Sequence, residues 1–496
     1  MAMTSRTSAT IAPACPDGLK IEQVQVLVRH GERSPITPRF QNTGLSPYWP
    51  YCSAARRFSQ IVMASQNGSG WETMTWKRCL ETSGPGGRSI PARSAGGETD
   101  GICMPGELTD RGRETSLAFG KWLRSLYVDQ LSLLPEHLLD ANVLYVRATE
   151  VPRVVESTQQ IIQGLYPKGT NRKLAPWEIV MRSRAEETLI PNTKSCARLA
   201  ELVGAFSQEA AEKWNGSNDM RYLSKKLGKW MPGNKALALD SRPSLLAVMD
   251  SINATAAHGP NTRLPDEFYD ERVRKTIERI LIDQMFRGYS ISRELRMLGA
   301  GQLVGDIVLK MVDQVEWDKA PNKLRDLTVH SNTPPKLSII GCHDRTIGTV
   351  LSSLGCLDSN ERWPPFTGHV IFELFRKRQM PHLNINESDT TTNLTSTTNR
   401  GNTSELQRIG GRPTKIPAIK EVGDVHEYFV RIRYNDRIMR VPGCQAEGKH
   451  FNGDSNLCTL AAFKSVVDKF TPKNWKRACN SNLGDSATRY NEQAGY

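Results

Sequence analysis

The chain has 496 residues, of which 38% are hydrophobic and 24% charged, and a formal net charge of +13. That composition supports a sizeable folded core of roughly two to four units at about 150 residues each. No run of about 18 apolar residues occurs, which excludes an evident transmembrane helix, and the positive charge is spread rather than gathered in Lys/Arg runs, which favours an acidic small substrate or an anionic surface over nucleic acid.

Residues 1–19 carry Arg6, many Ser, Thr and Ala, and no acid before Asp17. They contain no hydrophobic signal core. They read as a disordered tail, and a cytoplasmic or mitochondrial location is the expectation. The apolar run Val24 to Val28 follows and reads as a strand. It leads into Arg29-His30-Gly31-Glu32-Arg33-Ser34-Pro35. A histidine between two arginines is suited to phosphate chemistry. A neutral imidazole can attack phosphorus, and planar guanidiniums hold phosphoryl oxygens in pairs. Ser34-Pro35 has the form of a helix start. Residues 65–105 are rich in Gly and Ser and read as loop.

Leu108-Thr109-Asp110-Arg111-Gly112 opens a helix that runs through Tyr127, with an apolar stripe for core packing. A second strand, Val143 to Val146, runs into Arg147 and the capping candidate Thr149. Val151, Val154, Val155, Ile161, Ile162 and Leu165 then share one helix face. Residues 176–324 read as mostly helical, for example Glu267 to Leu298 and Leu303 to Val315, and form an inserted cap. A third strand, Leu337 to Gly341, precedes His343-Asp344. Ile347, Val350, Leu351 and Leu354 follow at helical spacing, and Gly355 ends the helix. Residues 384–413, rich in Thr, Asn, Ser and Gly, are expected to be a flexible surface loop. Tyr428 to Val441 alternates across Asn435-Asp436 as a β-hairpin. Cys444 and Cys458 bracket a short loop that a disulfide can close. The ten cysteines show no metal-binding spacing, so neither a metal nor a cofactor is expected. The Asn-X-Ser/Thr sites, such as Asn67, Asn215 and Asn253, read as chance matches in a chain with no secretory signal.

Strand, polar junction and helix in repetition is α/β grammar, in which ligands sit beyond the carboxyl ends of the strands. Arg29, His30, Arg147, His343 and Asp344 all fall there. Given these residues, the chain resembles the histidine acid phosphatases. Arg29, His30, Gly31, Arg33 and Pro35 match the RHGxRxP signature, and His343-Asp344 matches the second motif. Arg147-Ala148-Thr149 with Arg153 beyond is similar to a third element. Trp363-Pro364-Pro365-Phe366 and Leu108-Thr109 also fit. The branch most similar contains the lysophosphatidic acid phosphatases. One departure is Arg345, where a Thr is common.

The resemblance implies a phosphoglycerate-mutase-like α/β core (20–175 and 325–496) with a helical cap (176–324). It implies an acid phosphatase acting on phosphate monoesters through a phosphohistidine. His30 is the expected nucleophile and Asp344 the expected proton donor. Arg29, Arg33, Arg147 and His343 are the expected phosphate ligands. Arg153, Thr149 and Arg345 are expected just behind them. Lysophosphatidate-like lipids are candidate substrates, with phytase-like action on inositol phosphates as the alternative. A phospholipid-binding relative that has lost catalysis would lack His30 or Asp344, and both are present. Peripheral contact with membranes is compatible with the charge, and the oligomeric state is left open.

Overall fold

Leu19–Arg29 forms the central strand, and of its eleven residues all but Lys20 are buried. A strand covered on both faces reads as a near-continuous apolar run. Among the buried polar exceptions, Gln23 and Gln25 donate from their amide nitrogens to the carbonyls of Lys310 and Ile307. The computed structural model describes residues 15–63, 70–170, 177–320, 333–357, 361–378, 425–487 and 492–496. The expected flexible loop 384–413 and most of the expected tail lie outside these.

The strands are β1 (Leu19–Arg29), β2 (Arg57–Met63), β3 (Trp71–Lys77), β4 (Glu81–Ser83), β5 (Ser89–Pro91), β6 (Leu144–Ala148), β7 (Leu337–Cys342), β8 (His369–Lys377), β9 (Tyr428–Tyr434), β10 (Arg437–Met439), β11 (His450–Phe451) and β12 (Asp454–Thr459). The main helices are α1 (Asp110–Arg124), α2 (Pro152–Leu165), α3 (Ala197–Trp214), α4 (Asn218–Leu227), α5 (Leu245–Ala257), α6 (Glu271–Ile291), α7 (Gln302–Lys319), α8 (Asp344–Ser353) and α9 (Leu460–Asp468).

The main sheet has the order β11-β12-β9-β8-β1-β7-β6, with β10 on β9. β1, β7 and β6 are parallel, and β8 and β9 continue antiparallel. Successive residues of β1 point to opposite faces. Val26 and Val28 pack with α1 and α2, while Leu27 packs with α7, α8 and α9. The result is three layers, helices on both faces of a mixed sheet, as the α/β reading required.

Helices α3 to α6 share a separate core with Phe40, Leu45 and Trp49, which forms the cap. The expected cap boundary needs correction at its C-terminal end. The expected cap, 176–324, includes α7, but the apolar side of α7 (Leu303, Ile307, Met311) joins the sheet core.

Three other local expectations also change. No helix starts at Ser34-Pro35. Instead Arg33 bridges to Leu108, and Ser34 Oγ donates to the Met104 carbonyl at 2.7 Å. The described part of 65–105 is not all loop, since β2–β3 and β4–β5 are two hairpins. Their Ile, Val, Thr and Trp content favours extended backbone. Thr149 does not cap α2, whose N-cap is Val151.

Disulfides join Cys52 to Cys103, Cys196 to Cys479 and Cys444 to Cys458. Among the described residues, no helix is long and apolar enough to cross a membrane.

Candidate active site

β1 and β7 end in register at Arg29 and Cys342. The residues that follow, His30 and His343, therefore leave neighbouring parallel strands side by side, with ring centroids 5.7 Å apart. The turn after His30 is held by a close backbone approach. A Cβ on Gly31 would lie 2.3 Å from the Gly112 carbonyl oxygen, and one on Gly112 would lie 2.1 Å from that of Glu32. Only glycine permits this contact between the motif and the start of α1.

His30 Nδ1 lies 2.9 Å from the Gly31 carbonyl oxygen. A carbonyl only accepts, so the proton is assigned to Nδ1 and the lone pair to Nε2. Burial, then the cations Arg29, Arg33 and Arg153, then His343, hold this imidazole well below its usual range. That environment favours the neutral imidazole.

The arginines around it are fixed by different partners. Arg29 donates from Nη1 to the Pro364 carbonyl at 2.6 Å and pairs through Nη2 with Asp344 at 2.9 Å. Its guanidinium stacks 4.3 Å over the Phe366 ring. Arg33 is pinned by Asp250 of the cap at 2.7 Å. Arg153, in the first turn of α2, donates to the Gly106 carbonyl at 3.4 Å. Burial, then Arg33, lower its pKa to about 10, so it stays charged.

Asp344 begins α8. Its Oδ2 receives the Trp363 indole N–H at 3.0 Å as well as Arg29. Burial pushes this carboxyl up, but Arg29, the Trp363 hydrogen bond and Arg33 outweigh it and leave the group below the usual range. His343 is held by Thr149, whose Oγ1 is 3.0 Å from Nε2. Burial, then Arg153, bring the His343 pKa down to about 4.

The expected residues do not all converge. Arg29, His30, Arg33, Arg153, His343, Asp344 and Arg345 line one cavity of about 530 Å³. Thr149 stands behind His343. Arg147 is the correction, because it does not line this cavity. The pleat of β6 turns its side chain away, and it pairs with buried Glu187 at 2.7 Å and Thr188 at 3.1 Å. Arg153, expected just behind the phosphate ligands, lines the cavity itself.

Three residues were given no role from sequence: Asp250, Trp363 and Phe366. Asp250 is the one carboxylate of α5, a helix otherwise almost free of charge, and that isolation was the available signal. The cavity's outer wall is apolar at Ile36, Val151, Ile190, Leu246 and Met249. Arg39, Arg184, Lys194 and Arg345 form a basic rim.

Residues 20–396 match the family model described as histidine phosphatase superfamily (branch 2). The chain is 31% identical over 464 residues to a probable acid phosphatase of Schizosaccharomyces pombe, covering 94% of this chain and 95% of that one. It is 25% identical over 366 residues to lysophosphatidic acid phosphatase type 6 of Bos taurus, covering 73% and 75%. Among solved structures it is similar to the Hafnia alvei phytase in complex with myo-inositol hexakis sulphate, with TM-score 0.51, 15% identity and coverage of 94% and 99%. At that identity the likeness speaks to the fold alone.

Proposed function

The chain belongs to the histidine phosphatase superfamily, branch 2, and is an acid phosphatase; from that premise we propose that His30 is its nucleophile and Asp344 its proton donor. The observation that carries this reading is the contact of His30 Nδ1 with the Gly31 carbonyl oxygen at 2.9 Å. Its Nδ1–H is committed to Gly31, leaving the Nε2 lone pair among three arginines.

In the first step His30 Nε2 attacks phosphorus in line as the P–O ester bond breaks. Asp344 gives its proton to the departing oxygen. Arg29, Arg33, Arg153 and His343 hold the equatorial oxygens, where charge is spread in the transition state. In the second step water attacks the phosphohistidine, Asp344 takes the proton from water, and inorganic phosphate leaves. Asp344 must be protonated for the first step, yet Arg29 favours its ionised form in the free enzyme. A bound phosphate dianion draws Arg29 to itself and adds negative charge beside the carboxyl. Both effects raise the Asp344 pKa in the substrate complex and favour turnover in acid.

For the substrate we favour a lysophosphatidate-like lipid. The apolar wall of Ile36, Val151, Leu246 and Met249 offers an acyl chain a surface beside the arginines. The basic rim of Arg184, Lys194 and Arg345 favours a second reading, a substrate with several phosphates. Comparing kcat/KM for 1-acyl lysophosphatidate, glycerol phosphate and inositol hexakisphosphate separates them. A preference for the acylated substrate of at least about tenfold over glycerol phosphate supports the first. Equal values for those two, with faster turnover of the inositol ester, reject it.

For the compartment we infer an oxidising environment, since three disulfides persist poorly in the cytoplasm. This departs from the cytoplasmic expectation. Quantifying free thiols by alkylation in rapidly quenched cells tests it, and full reactivity of all ten cysteines contradicts it.

A further inference from the structure

Among the described residues, the segment between Cys52 and Cys103 contributes none to the catalytic cavity. Its base is closed by the Cys52–Cys103 disulfide and by the Arg56–Asp100 pair at 2.7 Å. From that base β2 and β3 run out as an antiparallel ribbon, paired from Arg57↔Lys77 at the near end to Met63↔Trp71 at the far end. Seven extended residues reach about 20 Å.

The exposure of this ribbon is unusual for its composition. Ile61 is 70% exposed, Met63 64% and Trp71 73%, and Phe58, Met74 and Trp76 are also exposed. Isolated surface apolar residues need no explanation, but a contiguous group does. The pairing assigns these side chains to faces. Phe58, Met74 and Trp76 lie on one face, and Ile61, Met63 and Trp71 on the other. A protein partner covers one face of a ribbon, whereas a lipid interface surrounds both. The cations sit where such an interface needs them, with Arg57 opposite Lys77 at the base and the whole chain at +13. Glu72 is the one carboxylate on the two strands.

We propose that this ribbon inserts the side chains of Ile61, Met63, Trp71 and Met74 into the surface of an anionic phospholipid bilayer. Trp and Met enter the headgroup–acyl boundary, about 5–10 Å deep, and Arg57 and Lys77 meet the lipid phosphates. Depth is limited by the ribbon's outer backbone groups, which have no strand partner among the described residues and must stay hydrated. Insertion does not depend on the chemistry at His30. It brings a phosphatase to the surface from which a lipid phosphate would be drawn.

The test is flotation of the full chain with phosphatidylcholine vesicles, with and without phosphatidylserine. The wild type is expected to float with the anionic vesicles and weakly with the neutral ones. An Ile61→Ser/Met63→Ser/Trp71→Ser variant should lose at least about tenfold of that binding, while its turnover of a soluble aryl phosphate is unchanged. Arg57→Glu/Lys77→Glu should abolish the preference for anionic vesicles. A wild type that stays with neither vesicle, or a triple variant that floats like the wild type, overturns the proposal. So does a wild type that self-associates in solution through these residues and floats with neither vesicle. Should the triple variant fail to fold, tryptophan quenching by bromolipids in the vesicle-bound protein decides. Quenching that falls in Trp71→Phe/Trp76→Phe supports insertion, and absence of quenching in the wild type refutes it.

Discussion

Two arginines six residues apart do opposite work. Arg153 faces the cavity beside His30 and His343, while Arg147 neutralises Glu187 behind the sheet. Arg153→Ala is therefore expected to lower kcat/KM by about 10²–10³, the scale for removing one donor from a developing oxyanion, with little change in Tm. Arg147→Ala strands a buried carboxylate and should cost about 3–5 kcal/mol of stability, with most of the activity kept in the fraction that folds. Chemical denaturation and steady-state kinetics on both variants check this. Equal kinetic losses would contradict it.

Asp344→Asn should slow alkyl phosphates at least about tenfold more than aryl phosphates, because only a poor leaving group needs the proton. The imidazoles give a separate pH signature. His30 and His343 have lowered pKa values when folded, so below about 6.5 the unfolded chain takes up protons that the folded one refuses. Stability of the free enzyme should fall as pH drops from about 6.5 towards about 4, where His343 titrates. Melting curves across that window should flatten in His343→Asn. Arg29, His30, Arg33, His343 and Asp344 were legible because short motifs name them. The division between Arg147 and Arg153 was not, since it depends on which way one strand residue points.

At the scale of elements, the core strands were readable because burial on both faces leaves a run of apolar residues, as in Val24 to Val28. The helix after His343 was readable from spacing and from Gly355, which ends it at a φ of +68°. The ribbon β2–β3 is hidden in the sequence because its exposed apolar residues sit beside a Gly- and Ser-rich stretch. Strand interiors also hide polar networks. Glu373 is fully buried in β8, accepts from Tyr127 Oη at 2.9 Å and pairs with Arg431 at 2.6 Å. Burying such a charge is tolerable only while its partners remain. Glu373→Ala should cost about 3–5 kcal/mol, read as a shift in denaturation midpoint, and a loss under about 1 kcal/mol would show that the network is hydrated.

At the scale of the molecule, the cap reaches the active site at Asp250, which pairs with Arg33. The cap thus positions Arg33, the phosphate ligand proposed from the core. Its existence was visible as a long helical stretch, but its C-terminal boundary was not, since the apolar side of α7 gives no sign of which core it joins. Cys196–Cys479 ties the start of α3 to the C-terminal region across 283 residues of sequence. Replacing both with Ser should lower stability by about 2–5 kcal/mol and leave KM unchanged.

The proposed mechanism requires a phosphoryl group carried by His30. The direct measurement is rapid acid-free quenching of the enzyme with a ³²P-labelled monoester, followed by peptide mapping. The expected result is an acid-labile, base-stable label on the peptide containing His30, absent in His30→Ala, and accumulating relative to wild type where Asp344→Asn slows its hydrolysis. A label on any other residue, or a His30→Ala protein that turns over as fast as wild type, would contradict it.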